Sequence, residues 1–147
     1  MAIYVQRIYS SSSKKGVRVL VDRVWPRGVS KDEAKVDYWL KDIGPSSSLR
    51  KWFNHDADKF DAFKTKYENE LKNNKAQQEA LATLKSIIRD TQEDVHLLYG
   101  AKDTQHNQAV VLKSLLSEYY SFVPYFHILN PLFYHVKKGP GYSRPVN

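Results

Sequence analysis

Val95-His96-Leu97-Leu98-Tyr99-Gly100, VHLLYG in one-letter code, is short, apolar at nearly every position and closed by a glycine. Apolar residues at consecutive rather than alternating positions fit a strand covered on both faces, in the middle of a sheet. Upstream, Val17 to Trp25 is valine-rich and strand-like. Helical patterns fill the stretch of about seventy residues between the two runs, and a connection of that kind implies a parallel, right-handed crossover. The expected fold class is therefore α/β, a small layered fold with a mostly parallel central sheet flanked by helices.

The rest of the chain is read outward from that strand. Ile3 to Tyr9 is a further strand, and the connector Ser10 to Gly16 is too short for the usual helical crossover. A hairpin or an abbreviated crossover both remain open, with the hairpin preferred. Ser30-Lys31-Asp32-Glu33 is a capping box, and the stripe Val36, Trp39, Leu40, Ile43 predicts a helix that Gly44-Pro45 ends. A short helical piece over Leu49 to Phe53 follows. The next helix starts at Asp56, with Phe60, Phe63, Tyr67 and Leu71 inward, and breaks at Asn73-Asn74. Another runs from about Ala76 to Ile88 on the same periodicity. After VHLLYG, Asp103 or Thr104 caps a last helix carrying Ala109, Val110, Leu112, Leu115 and Leu116.

The chain has 147 residues, which fits one domain. The α/β domain is expected over 1–117. Residues 118–147 form an aromatic extension broken by Pro124, Pro131, Pro140 and Pro145, too interrupted to span a membrane. That extension either packs on its own domain or offers a surface to a second subunit, giving a homodimer. With no cysteine, disulfides, thiolate catalysis and iron–sulfur clusters are excluded. The first residues, Met1 to Arg7, lack the pattern of a signal peptide, so a cytoplasmic location is expected.

Lysine and arginine total 23 against 16 aspartates and glutamates, a formal charge of +7 that favours acidic partners. No block of five like charges occurs, and the lysines between 31 and 85 read as solvated helix faces. Nucleic acid is thus the second choice of partner, behind a small anion. The histidines at 55, 96, 106, 127 and 135 include no pair at i, i+4, so no metal site is expected. No glycine-rich phosphate loop, nucleophile elbow or dinucleotide fingerprint occurs, and no cofactor is identified.

If the second and third strands are parallel, Asp22-Arg23-Val24-Trp25-Pro26-Arg27-Gly28 and Ala101-Lys102-Asp103-Thr104-Gln105-His106-Asn107 leave the sheet at its carboxyl edge, where open α/β sheets bind ligands. Arg23, Arg27 and Lys102 would bring positive charge to an anion, the arginines by two-point contact. Asn107 and His106 would orient the ligand, Trp25 could bind it as a stacking platform, and Asp22, Asp103 and His106 are candidate acid–base groups. Each has a plainer alternative. Arg23 could pair with an internal carboxylate, Asp22 could be a structural acceptor, Trp25 a core plug, Asp103 only a helix cap, and His106 merely exposed. A site that includes His55, from Trp52-Phe53-Asn54-His55-Asp56, requires its loop to fold back over the strand ends.

The stretch from Arg18 through Asp22-Arg23-Val24-Trp25-Pro26-Arg27-Gly28 to Leu71, with Leu97-Leu98-Tyr99-Gly100-Ala101-Lys102-Asp103 and His106-Asn107, resembles the YeaO-like branch of the bacterial domain of unknown function 488 family. The resemblance spans roughly residues 3 to 117 and implies no established activity. Related branches carry a cysteine-rich motif after the third strand. At the matching positions this chain has Tyr99, Asn107, Gln108 and Ala109, so the metal or thiol chemistry that those branches suggest does not transfer. The reading that results is a pocket for a phosphorylated or carboxylated small molecule, a nucleotide among them. The alternatives are a basic regulatory module on nucleic acid and an interaction protein assembling through its aromatic arm.

Overall fold

The computed structural model describes residues 2–10 and 15–122, with the side chains of the last two left aside. Four strands, β1 (Ile3–Arg7), β2 (Val17–Leu20), β3 (Tyr38–Trp39) and β4 (Val95–Tyr99), form one sheet in the order β1-β4-β2-β3. Every pairing is parallel. The last strand in sequence is thus the inner one: Leu97 lies opposite Val5 on one side and Val19 on the other, and all five residues of β4 are buried. Its unbroken apolar run is the consequence of having neighbours on both edges and cover on both faces.

This order corrects the expected hairpin. β1 and β2 run in the same direction and each pairs with β4, not with the other. A hairpin would have left β4 with one bonded edge, whereas insertion satisfies its backbone N–H and C=O groups on both sides.

Alternation along the strands separates two cores. Val19, Val21, Val95, Leu97 and Tyr99 face the main one, together with residues such as Phe63, Tyr67, Leu84, Ile88, Leu112 and Leu116. These come from α3 (Phe60–Asn73), α4 (Lys75–Asp90) and α5 (Gln108–Phe122), with α2 (Ser47–Phe53) adding Leu49 and Phe53. Each fully buried leucine there contributes about 2 kcal/mol. On the opposite face Leu20 and Leu98 meet Ile8, Ala34 and Val36, with Trp25, Val29 and Trp39 packed against them.

The helix expected through Val36–Ile43 is the second correction. Ser30 does cap, its side chain accepting from the Glu33 N–H, but α1 covers only Lys31–Ala34 before Lys35 turns left-handed at φ 48°. Asp37 then locks onto β2. Its N–H donates to the Arg18 carbonyl at 2.8 Å, and its Oδ2 accepts from the Arg18 N–H at 2.9 Å. Tyr38 and Trp39 are thereby placed opposite Val19 and Leu20 as a short edge strand. The helical spacing was coincidental: Val36 and Trp39 serve one core, Leu40 and Ile43 the other.

The helices α2, α3 and α4 follow their sequence signals closely. Asp56 caps a single 3-10 turn that leads into α3, and the Asn74 side chain caps α4 through the Gln77 N–H. Residues 118–122 continue α5, and the rest of the expected extension lies outside the described residues. Among the described residues no helix is long and apolar enough to cross a membrane.

Candidate functional site

The chain leaves β2 toward β3 at one edge of the sheet, while it leaves β4 toward α5, which packs on β1 and β4. Two adjacent parallel strands whose exits diverge leave a crevice at their carboxyl ends. A cavity of about 220 Å³ lies there. Asp22 and Arg23 line it from β2's exit, Ala101, His106, Asn107 and Gln108 from the segment after β4, and Arg50 and His55 from α2 and the turn after it. Val24, Pro45, Phe53 and Phe63 supply the apolar wall.

Asp22 joins the two strand exits. Its Oδ2 accepts from the Gly100 N–H at 2.8 Å, and its Oδ1 accepts from the side-chain amide of Gln108. Glycine at position 100 leaves room for this bond, because a Cβ there would sit 2.9 Å from that Oδ2. Burial pushes the Asp22 carboxyl up to about 6, although both hydrogen bonds and the nearby Arg50 charge pull the other way. The cavity's one carboxylate therefore loses its charge just below neutral pH.

Arg23 is held by backbone carbonyls, with no carboxylate paired to it among the described residues. Its Nε donates to the Pro45 carbonyl at 3.0 Å and its Nη2 to the Gly44 carbonyl at 2.7 Å. Gly44 permits this approach, since a Cβ would come within 3.1 Å of the Arg23 Cβ. Behind the loop, the Gln77 side-chain amide donates to the Gly44 carbonyl at 3.1 Å and to Glu70 at 3.0 Å, while Glu70 also accepts from the Ser46 N–H at 2.9 Å. Two of the five guanidinium N–H groups are thus committed to carbonyls, and the positive charge is left intact.

Arg50 enters from an exposed position on α2. Directly after it, Asn54 at φ 46° and His55 at φ 55° are consecutive left-handed residues. Each such conformation costs roughly 1 kcal/mol outside glycine. The double reversal folds the turn back over the strand ends and delivers His55 to the cavity.

His106 is oriented by Asp103. Its Nδ1 lies 2.8 Å from Asp103 Oδ2, and its ring meets Phe60 edge-on with centroids 5.1 Å apart. Facing a carboxylate acceptor, the neutral ring carries its proton on Nδ1, which leaves Nε2 as the acceptor. Asp103 Oδ1 also accepts from the N–H groups of Gln105 and His106, at 2.9 and 3.0 Å. These bonds, the one from Gln105 first, hold its carboxyl below the usual carboxylate range. Asp103 therefore closes a turn rather than capping α5. Asn107 is the cap, its Oδ1 accepting from the Val110 N–H at 3.1 Å and its Nδ2 donating to the Asp103 carbonyl at 2.9 Å.

The structure thus gathers Asp22, Arg23, His106 and Asn107 of the sequence-derived set around one cavity and places Asp103 behind His106. Trp25, Arg27 and Lys102 are not among its lining residues. Trp25 donates its indole N–H to the Val29 carbonyl and packs edge-on against Trp39 in the smaller core. Arg27 is exposed on a turn and Lys102 is exposed on the bend that follows Ala101. Arg50 and Gln108 were not anticipated. Nothing in their local sequence marks them, since both owe their place to the crossover geometry. Among the described residues no group of three metal-binding side chains occurs.

A family model described as the inactive DUF488-N3 subclade matches residues 2–123. The chain belongs to the DUF488 family. Within it this YeaO-like protein is 42% identical to the uncharacterized protein Rv3073c of Mycobacterium tuberculosis over 116 residues, 78% of this chain and 93% of the relative. The uncharacterized protein Mb3100c of Mycobacterium bovis matches to the same extent. Uncharacterized protein YeaO of Escherichia coli is 36% identical over 117 residues, covering 79% of this DUF488 chain and 97% of its own. No solved structure matches.

Proposed function

We propose that this DUF488 protein binds a small phosphorylated or carboxylated molecule in the crevice between the exits of β2 and β4. The observation that carries the reading is the state of Arg23, whose guanidinium is fixed by two carbonyls on the cavity wall with no carboxylate pairing it among the described residues. A fixed, un-neutralised guanidinium is a ready partner for an oxyanion, because its orientation is set before the ligand arrives. Arg50 adds a second permanent charge, and His55 and His106 add two ionisable rings. The start of α5, marked by its cap Asn107, contributes the positive end of a helix dipole at the same wall.

Binding is favoured over covalent chemistry. The lining residues include no serine, threonine, cysteine or lysine, and both oxygens of Asp22 already accept hydrogen bonds. The matching subclade's description as inactive agrees with that reading. Isothermal titration with inorganic phosphate and with acetate at pH 6 and low salt tests it. Saturable heat that Arg50→Gln weakens at least several-fold supports the site, and an unchanged titration in that exposed-position variant rejects it.

A further inference from the structure

Resting on that reading, we infer that the ligand class is a compact aromatic acid: one ring bearing a carboxylate or phosphate, rather than a sugar phosphate or a whole nucleotide.

Size is the first ground. A dry cavity of about 150 Å³ accommodates benzene, so space scales as roughly 25 Å³ per heavy atom. At that scale the crevice of about 220 Å³ encloses about nine heavy atoms, a ring and the start of its acid group with the outer oxygens at the open mouth, and is too small for base, sugar and phosphate together.

The state of the polar side chains is the second. Asn107 spends its carbonyl on Val110 and its amide nitrogen on Asp103, and the amide nitrogen of Gln108 is engaged by Asp22. Gly44 and Pro45 direct their carbonyls at Arg23. The donors left over on the wall belong to Arg23, Arg50 and the histidines, and these reward a charged oxygen more than the neutral hydroxyls of a sugar.

The apolar wall is the third. Phe53 and Phe63 are stacked with centroids 4.2 Å apart and planes at 21°, beside Pro45. Val24 stands on the same cavity while 61% exposed, more than any other large hydrophobic side chain among the described residues. An aryl ring set against this wall covers Val24 over the buried backing of Phe53 and Phe63, while its acid group reaches Arg23 and Arg50.

The test compares phenyl phosphate, ribose 5-phosphate and inorganic phosphate by calorimetric titration of the full chain at pH 6. Phenyl phosphate is expected to bind at least about tenfold more tightly than either of the others. Val24→Ser, at an exposed position, should weaken phenyl phosphate more than inorganic phosphate and so shrink that preference several-fold. Arg50→Gln should weaken all three. If ribose 5-phosphate or inorganic phosphate binds as tightly as phenyl phosphate, the aromatic class is overturned and the anion site stands. If none binds, both fall. Far-UV circular dichroism of the variants confirms that each retains the fold.

Discussion

The amide N–H of Gly100 donates to the Oδ2 of Asp22 across 2.8 Å, tying the exit of the central strand to the exit of its neighbour. These residues are 78 positions apart in sequence, so the bond forms only once β4 has entered between β1 and β2. It sets a carboxyl in the crevice that Arg23 and Arg50 also line.

Gly100→Ala tests that join. The added methyl would meet Asp22 Oδ2 at 2.9 Å and Pro26 at 3.3 Å, neither of them a flexible chain end free to swing away. We expect a loss of about 1–3 kcal/mol, from overpacking and the weakened bond to a charged acceptor. Urea denaturation measures it; a midpoint unchanged from wild type would mean that the carboxylate yields freely.

Asp22 also sets a pH dependence whose sign is opposite to that of a salt-bridged aspartate. Its folded-state pKa is raised to about 6 from 3.8, so the fold holds the proton more tightly than the unfolded chain does. The associated stability is fully present below pH 3.8 and is lost as pH rises through about 6. It amounts to about 3 kcal/mol in the limit. Asp22→Asn keeps the shape and removes the buried charge. The expected result is a variant more stable than wild type at pH 8, by about 1–2 kcal/mol, with the decline between pH 4 and 7 flattened. Parallel denaturation curves at pH 4.5 and 8 decide it.

Arg23→Lys is predicted to behave as a non-conservative change. One ammonium cannot reproduce the planar pair of donors that reaches the carbonyls of Gly44 and Pro45. Stability should fall by about 1–3 kcal/mol, and affinity for phosphate should fall although the formal charge is kept. Equal phosphate affinity in the two proteins would show that charge alone suffices.

How much of this was legible in the sequence differs by level. VHLLYG announced an inner strand because burial on both faces leaves a composition that no exposed strand carries. The inward faces of α3 and α4 followed from spacing alone. The helix expected through Val36–Ile43 failed because its 3.6-residue spacing was also compatible with two residues on each of two cores, and only Asp37 pairing with Arg18 chose between them. Asp22 and Arg23, which line the cavity, were expected there because they directly follow a strand. Arg50 was not, because its role depends on where a separate helix docks. Arg27, expected in the same cluster, stands exposed on a turn four residues beyond Arg23 and does not line the cavity. Asp103 was found for its chemistry, yet its turn positions His106 and the cap passes to Asn107.

The Asp103–His106 contact makes a spectroscopic prediction. At pH 8 the His106 ring should be the Nδ1–H tautomer, donating to Asp103 across 2.8 Å. In Asp103→Asn the anionic acceptor is gone, and the tautomer distribution should move toward Nε2–H. Nitrogen-15 chemical shifts of the ring report this directly; a ring already in the Nε2–H form in wild type would refute the orientation.

The central claim is that the strand exits form an anion site, and a residue-resolved phosphate titration by NMR at pH 6 tests it most directly. The account predicts saturable shifts confined to Asp22, Arg23, Arg50, Gly100, Ala101 and His106, including the Arg23 Nε–H resonance. Shifts that spread over the lysines of α3 and α4, with the Arg23 Nε–H unmoved, would contradict it.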